Sequence, residues 1–236
     1  MKKIMLLLFT LLLLIVLTES VRMAILYHVS RGLITRAVPY EQQGASSTQI
    51  DLLVLGDSTG AGVGAHSPRA SVAGYVGVAK PQWTIENHAV SGAKIADMAG
   101  QLAQAKQEHY PMILLQVGGN DIIAMHSAEA SRAAIDPLLK ELATRADKVV
   151  FISAGNVGAA YFFPWFLRPH YRQLTIAHHA MFAEESAKYG VQYVNLYIPP
   201  EADPFVLERN VYLAGDGVHP SSRGYNLWFQ KITPFL

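Results

Sequence analysis

Ile50-Asp51-Leu52-Leu53-Val54-Leu55-Gly56-Asp57-Ser58-Thr59-Gly60 is a compact apolar run that ends abruptly in a glycine and a polar turn. A run of this length and character reads as a buried strand, and the glycines that flank Asp57 and Ser58 predict a tight turn at its carboxyl end. Outward from it the pattern recurs at Trp83 to His88, Met112 to Val117, Val149 to Ser153 and Val191 to Leu196. The intervening segments Ala93 to Gln107, Glu129 to Arg145 and Tyr171 to Tyr189 are rich in Ala, Leu, Gln, Glu or Lys and predict helices. A last helix is expected after Pro220-Ser221-Ser222, with proline near its first turn. Alternating strand and helix predict an α/β domain with a parallel sheet covered on both faces.

At 236 residues with 51% apolar and 16% charged residues, the chain can bury one full core. Its net charge of +1 and lack of a basic run give no electrostatic footprint for nucleic acid. The absence of cysteine excludes disulfides, thiolate metal sites and a cysteine nucleophile. His178 and His179 fall inside an expected helix without a metal-like set around them, so neither a metal nor another cofactor is expected.

Lys2 and Lys3 precede an uncharged apolar stretch from Ile4 to Leu17, the length of a signal-peptide core. Apolar character continues to residue 26, and Thr18-Glu19-Ser20 is a poor cleavage site, so residues 1–29 are expected to be an uncleaved signal anchor, with a cleaved signal peptide as the alternative. Lys2 and Lys3 favour an inside N-terminus and an exported domain, although Arg22, Arg31 and Arg36 blunt that argument. Residues 30–48, with Gly32, Pro39, Gly44 and three consecutive hydroxyl residues, read as a linker, and residues 49–236 as the domain.

Polar islands follow the first three expected strands, and a fourth lies near the C-terminus: Gly56-Asp57-Ser58, Ser91-Gly92, Gly118-Gly119-Asn120-Asp121 and Asp216-Gly217-Val218-His219-Pro220. They should meet at one edge of the sheet. Ser58 is a candidate nucleophile, and His219, three residues after Asp216, can be oriented through Nδ1 while Nε2 faces Ser58. The amides of Ser58 and Gly92 and the side chain of Asn120 are candidate oxyanion donors. Gly92 also reads as a simple turn residue, and Asn120 as a helix cap or turn residue. Gly56 to Gly60 fits the G-x-S-x-G elbow of α/β-hydrolases, but there the elbow follows several strands rather than the first. Gly60 to Ala65 fits a G-x-G-x-x-[G/A] nucleotide loop, with Glu86 as the ribose-binding acid, and leaves the other islands unexplained.

In order and content the four islands resemble the SGNH hydrolases, or GDSL esterases, across residues 50–224. The resemblance implies a three-layer α/β/α sandwich with a mostly parallel, flavodoxin-like sheet. It implies Ser58 as nucleophile, Gly92 and Asn120 as oxyanion donors beside the Ser58 amide, and His219 as base oriented by Asp216. The expected activity is hydrolysis of small-molecule or lipid esters, or removal or transfer of acyl groups on envelope carbohydrate by the same residues. Thr59 stands where the family usually has Leu or Ile, beside the entrance to Ser58. The aromatic stretch Tyr161 to Tyr171 would border the site, which makes Phe163 and Trp165 candidate substrate contacts along an acyl groove or a surface that dips into a membrane.

Overall fold

Five strands form one sheet in the computed structural model of the protein, which describes residues 1–44 and 49–236. After a long N-terminal helix, α1 (Lys2–Arg36), the chain runs through β1 (Leu52–Gly56), α2 (Val72–Ala79), β2 (Ile85–Asn87), α3 (Met98–Leu102), β3 (Tyr110–Gln116), α4 (Gly119–Ile123) and α5 (Ala128–Arg145). It continues through β4 (Ala146–Ile152), α6 (Arg168–Lys188), β5 (Gln192–Val194), α7 (Pro204–Leu207), α8 (Arg209–Tyr212) and α9 (Ser222–Ile232). The strand order is β2-β1-β3-β4-β5, all parallel, with Leu52 opposite both Ile85 and Met112. This is the flavodoxin-like order, whose switch point lies between β1 and β3.

Alternation along β1 builds both cores, because successive side chains point to opposite faces. Leu53 and Leu55 pack with Ile113, Leu115 and Phe151 beneath α3, α5 and α6. Leu52 and Val54 pack with Met112, Leu114 and Val150 beneath α2 and α9. Burial on both faces explains why β1 carries no polar alternation.

Departures from the expected elements have local causes. The helix expected over 93–107 is a 3-10 turn at Ile95–Asp97 followed by the short α3. Gln107 is drawn out of it, its side chain clamping the Ile50 backbone through two bonds of 3.0 Å. That clamp also takes Ile50 out of the ladder, so β1 starts at Leu52. Helix α2, not expected from the sequence, is capped by Ser71, whose Oγ accepts from Gly74 N at 3.0 Å.

Residues 30–36, expected as linker, continue α1; one glycine, about 1 kcal/mol worse than alanine, is too weak a break to end a helix of this length. Residues 37–44 lie against the domain, where Tyr40 joins the core and Gln42 makes an antiparallel bridge to Ile85. The remainder of the expected linker, 45–48, lies outside the described residues.

Candidate active site

Ser58 sits in the turn that leaves β1, and Asp57 shapes that turn. Its Oδ1 accepts from the Thr59 amide and the Thr59 hydroxyl, both at 2.8 Å. Gly56 is required because a Cβ there would stand 2.4 Å from the Gln116 carbonyl oxygen. Asp57 is only 3% exposed, and burial pushes its carboxyl up to about 6, against the Thr59 hydrogen bonds and the nearby His219. An unfolded aspartate titrates near 3.9. The native state therefore binds the extra proton between pH 4 and 6 and carries the full burden of the buried charge above pH 6. Asp57→Asn keeps an acceptor for Thr59 and should stabilise the protein at pH 7 by up to about 3 kcal/mol, from roughly two pKa units at 1.36 kcal/mol each. Melting curves of the detergent-solubilised protein should show this gain shrinking as pH falls, and vanishing below about pH 4; a gain that ignores pH would refute the assignment.

The loop after α8 presents the second half of the site. Gly217 adopts φ +69°, a left-handed conformation that lets the chain fold back within three residues. Asp216 Oδ1 accepts from the amides of Val218 and His219, both at 3.1 Å, and Oδ2 lies 2.6 Å from His219 Nδ1. His219 Nε2 lies 2.9 Å from Ser58 Oγ. Burial disfavours the Asp216 charge, but the His219 ring and the two amides outweigh it and hold the carboxyl below its ordinary range.

The glycines of the nucleotide-like string support this loop. Gly64, at φ +94°, has no room for a Cβ, which would lie 2.5 Å from the Pro220 carbonyl and 3.1 Å from His219 Cβ. Gly62 packs equally closely on Ser71. The string is a series of turns that opens no helix, and Glu86 is buried against Tyr110 Oη at 2.9 Å and His88 Nε2 at 2.5 Å. Among the described residues, the phosphate cradle that a nucleotide loop needs is absent from this segment.

Gly92 lies in the turn after β2 at φ +87°, with open space where a Cβ would point. Asn120 is not at the end of β3; it lies in the first turn of α4, whose N-cap is Gly118. Its Nδ2 donates across to the Ala93 carbonyl at 2.9 Å instead of capping a helix. Next to it, Asp121 Oδ2 accepts from Ile95 N at 3.2 Å, so two consecutive side chains tie the Gly92 turn to α4. This positioning role of Asp121 was not foreseen, although the residue belongs to the same island.

Ser58, Gly92, Asn120 and His219 open onto one cavity of about 240 Å³ whose remaining wall is largely apolar, including Ile123, Val157, Phe162, Phe163 and Val218. Thr59 also lines it, and Phe163 does so while stacked on Tyr171 at 4.3 Å between centroids. Trp165 does not line it: 61% exposed, it stands on the outer surface against Phe166. Ser30 and Ile34 of α1 complete the wall. No motif marked these two residues, which fall in the segment expected as linker. Among the described residues no cluster of three or more His, Asp or Glu side chains is placed to hold a metal ion.

No curated protein matches the chain in sequence. Solved structures do match its fold. A member of the lipolytic protein G-D-S-L family from Veillonella parvula superposes with a TM-score of 0.62 at 16% identity, over 78% of this chain and 97% of that one. An extracellular lipase from Streptomyces rimosus gives 0.59 at 17% identity over 78% and 99%. A phospholipase A1 from Streptomyces albidoflavus gives 0.58 at 16% identity over 79% and 99%. At these identities the likeness is one of fold. The model of the GDSL-like lipase/acylhydrolase family matches residues 54–227, a span that holds all four islands. With that match across most of the chain, the protein belongs to the GDSL-like lipase/acylhydrolase family of SGNH-type serine hydrolases.

Proposed function

We propose that the protein hydrolyses carboxylic esters with lipid-like or short acyl chains, using Ser58 as nucleophile, His219 as general base and Asp216 as the group that orients it. The observation that carries this reading is the continuous pair of contacts from Asp216 Oδ2 through the His219 ring to Ser58 Oγ, at 2.6 and 2.9 Å. As Ser58 Oγ attacks the ester carbonyl, His219 Nε2 takes its proton, and the oxyanion rests on the amides of Ser58 and Gly92 and on Asn120 Nδ2. His219 then protonates the leaving alcohol, and a water molecule repeats the sequence to release the acid and restore Ser58. The apolar wall of the cavity suits an acyl chain. An acetyl group alone would leave most of it empty, so removal or transfer of acetyl groups on envelope carbohydrate fits less well.

Helix α1 is long and apolar enough to cross a membrane. Cleavage just after the apolar stretch would leave Ser30 and Ile34 on the domain, so the cavity wall survives either way. The poor cleavage site at Thr18-Glu19-Ser20 favours a retained anchor with the domain at the outer surface. A fluorophosphonate probe should add its mass to the peptide that contains Ser58, and the Ser58→Ala protein should stay unlabelled. Labelling of the variant, or of another residue in the wild type, would refute the assignment.

A further inference from the structure

Three guanidinium groups converge on one tyrosine ring beside the cavity. The Cζ atoms of Arg22, Arg168 and Arg209 lie 4.8, 5.3 and 4.5 Å from the Tyr161 ring centroid. Among the described residues one carboxylate pairs with any of them, that of Glu19, which holds Arg22 at 2.5 Å. Arg168 donates to the carbonyls of Phe163 and Tyr161 at 3.1 and 3.4 Å, while the exposed Arg209 has only the ring. Three positive charges thus face one negative charge. Burial, with Arg22 and Arg209 nearby, holds the Arg168 guanidinium below its ordinary range. Such an arrangement is relieved by an anion, and guanidinium forks match phosphate oxygens.

The cluster also has a defined place. Residues 4–21 of α1 rise about 27 Å at 1.5 Å per residue, close to the ~30 Å hydrocarbon core of a bilayer, so Arg22 falls at the membrane surface. Trp165 and Phe166, both exposed, belong to the same loop as Tyr161 and suit that interface. Toward the interior, Tyr161 packs on Gly217 of the Asp216–His219 loop, and Phe162 N donates to the Gly217 carbonyl at 3.0 Å. The residues after Tyr161, Phe162 and Phe163, line the cavity.

The geometry points to a phosphate site formed by Arg22, Arg168 and Arg209 that holds the headgroup phosphate of a membrane glycerophospholipid while one of its acyl esters reaches Ser58. This rests on the ester-hydrolase reading above. One water is consumed, one acyl ester bond breaks, a fatty acid and a lysophospholipid leave, and the phosphodiester stays intact.

The test compares the full-length protein in neutral detergent micelles on phosphatidylglycerol and on the diacylglycerol of the same chains, which lacks the phosphate. The wild type should favour phosphatidylglycerol at least tenfold in kcat/KM. Arg209→Gln and Arg168→Gln should erase that ratio through KM, and Arg209→Lys should keep part of it. The ratio is taken within each variant, so a general loss of activity cancels. Equal turnover of the two lipids, turnover of neither, or a ratio that survives both Gln variants overturns the site while p-nitrophenyl butyrate hydrolysis keeps the esterase reading alive. Loss of that hydrolysis in the wild type overturns both. If millimolar inorganic phosphate alters p-nitrophenyl butyrate turnover in the wild type but not in Arg209→Gln, and the lipids are not distinguished, the cluster takes free phosphate and the lipid assignment falls.

Discussion

Asp216→Asn should lower kcat for p-nitrophenyl butyrate by about 10⁴-fold with little change in KM, and Ser58→Ala by about 10⁶-fold. The reason for the first loss lies in the two backbone donors that Asp216 Oδ1 already faces. Its Oδ1 accepts from the amides of Val218 and His219, and Oδ2 meets His219 Nδ1. An asparagine must keep its oxygen toward the two amides, because its NH2 group there would set donor against donor. Its NH2 then points at His219 Nδ1, which must accept, and the ring proton moves to Nε2. In that tautomer His219 cannot take the proton of Ser58. The backbone geometry survives, so circular dichroism and melting temperature should change little while turnover collapses. A variant within tenfold of wild type would show that Asp216 does not set the tautomer.

Residues whose placement depends on neighbours in the chain were legible in advance. The apolar run ending at Gly56 predicted a buried strand, and the three-residue separation of Asp216 and His219 predicted a local turn that needs only Gly217 at positive φ. Residues whose placement depends on distant packing were not. Ser30 and Ile34 line the cavity because α1 continues past its apolar stretch and lies on the domain, with Leu26 and Ser30 buried there. Nothing in their own neighbourhood distinguishes them from linker. Phe163 and Trp165 are two residues apart in one aromatic stretch, yet one faces the cavity and the other solvent, because the stretch is a loop without the periodicity that would sort inward from outward positions. The Gly60 to Ala65 string fits a nucleotide loop as an alternative for a related reason: glycines that let a backbone approach a phosphate equally let Gly62 and Gly64 approach Ser71 and Pro220.

Asn120→Ala should reduce kcat by about 10²- to 10³-fold, the loss that accompanies removal of one oxyanion donor, while KM stays nearly constant. Of the two protons on Nδ2, one is engaged by the Ala93 carbonyl at 2.9 Å, and this fixes the amide plane. The other is then free for the cavity that Asn120 shares with Ser58 and Gly92. A donor held in this way needs no reorganisation when charge develops on the substrate oxygen, so its contribution appears in the transition state rather than in substrate binding. The competing explanation is structural, because the same amide ties the Gly92 turn to α4. Asp121→Asn separates the two. It weakens the neighbouring tie to Ile95 N without touching a donor that faces the cavity, and it should cost less than tenfold in kcat. Asn120→Asp completes the contrast: it preserves size but turns a donor into an anion facing the developing oxyanion, and should be at least as slow as Asn120→Ala. If Asn120→Asp retains activity, or Asp121→Asn is as damaging as Asn120→Ala, then Asn120 holds the loop in place and the oxyanion is stabilised by the backbone amides alone.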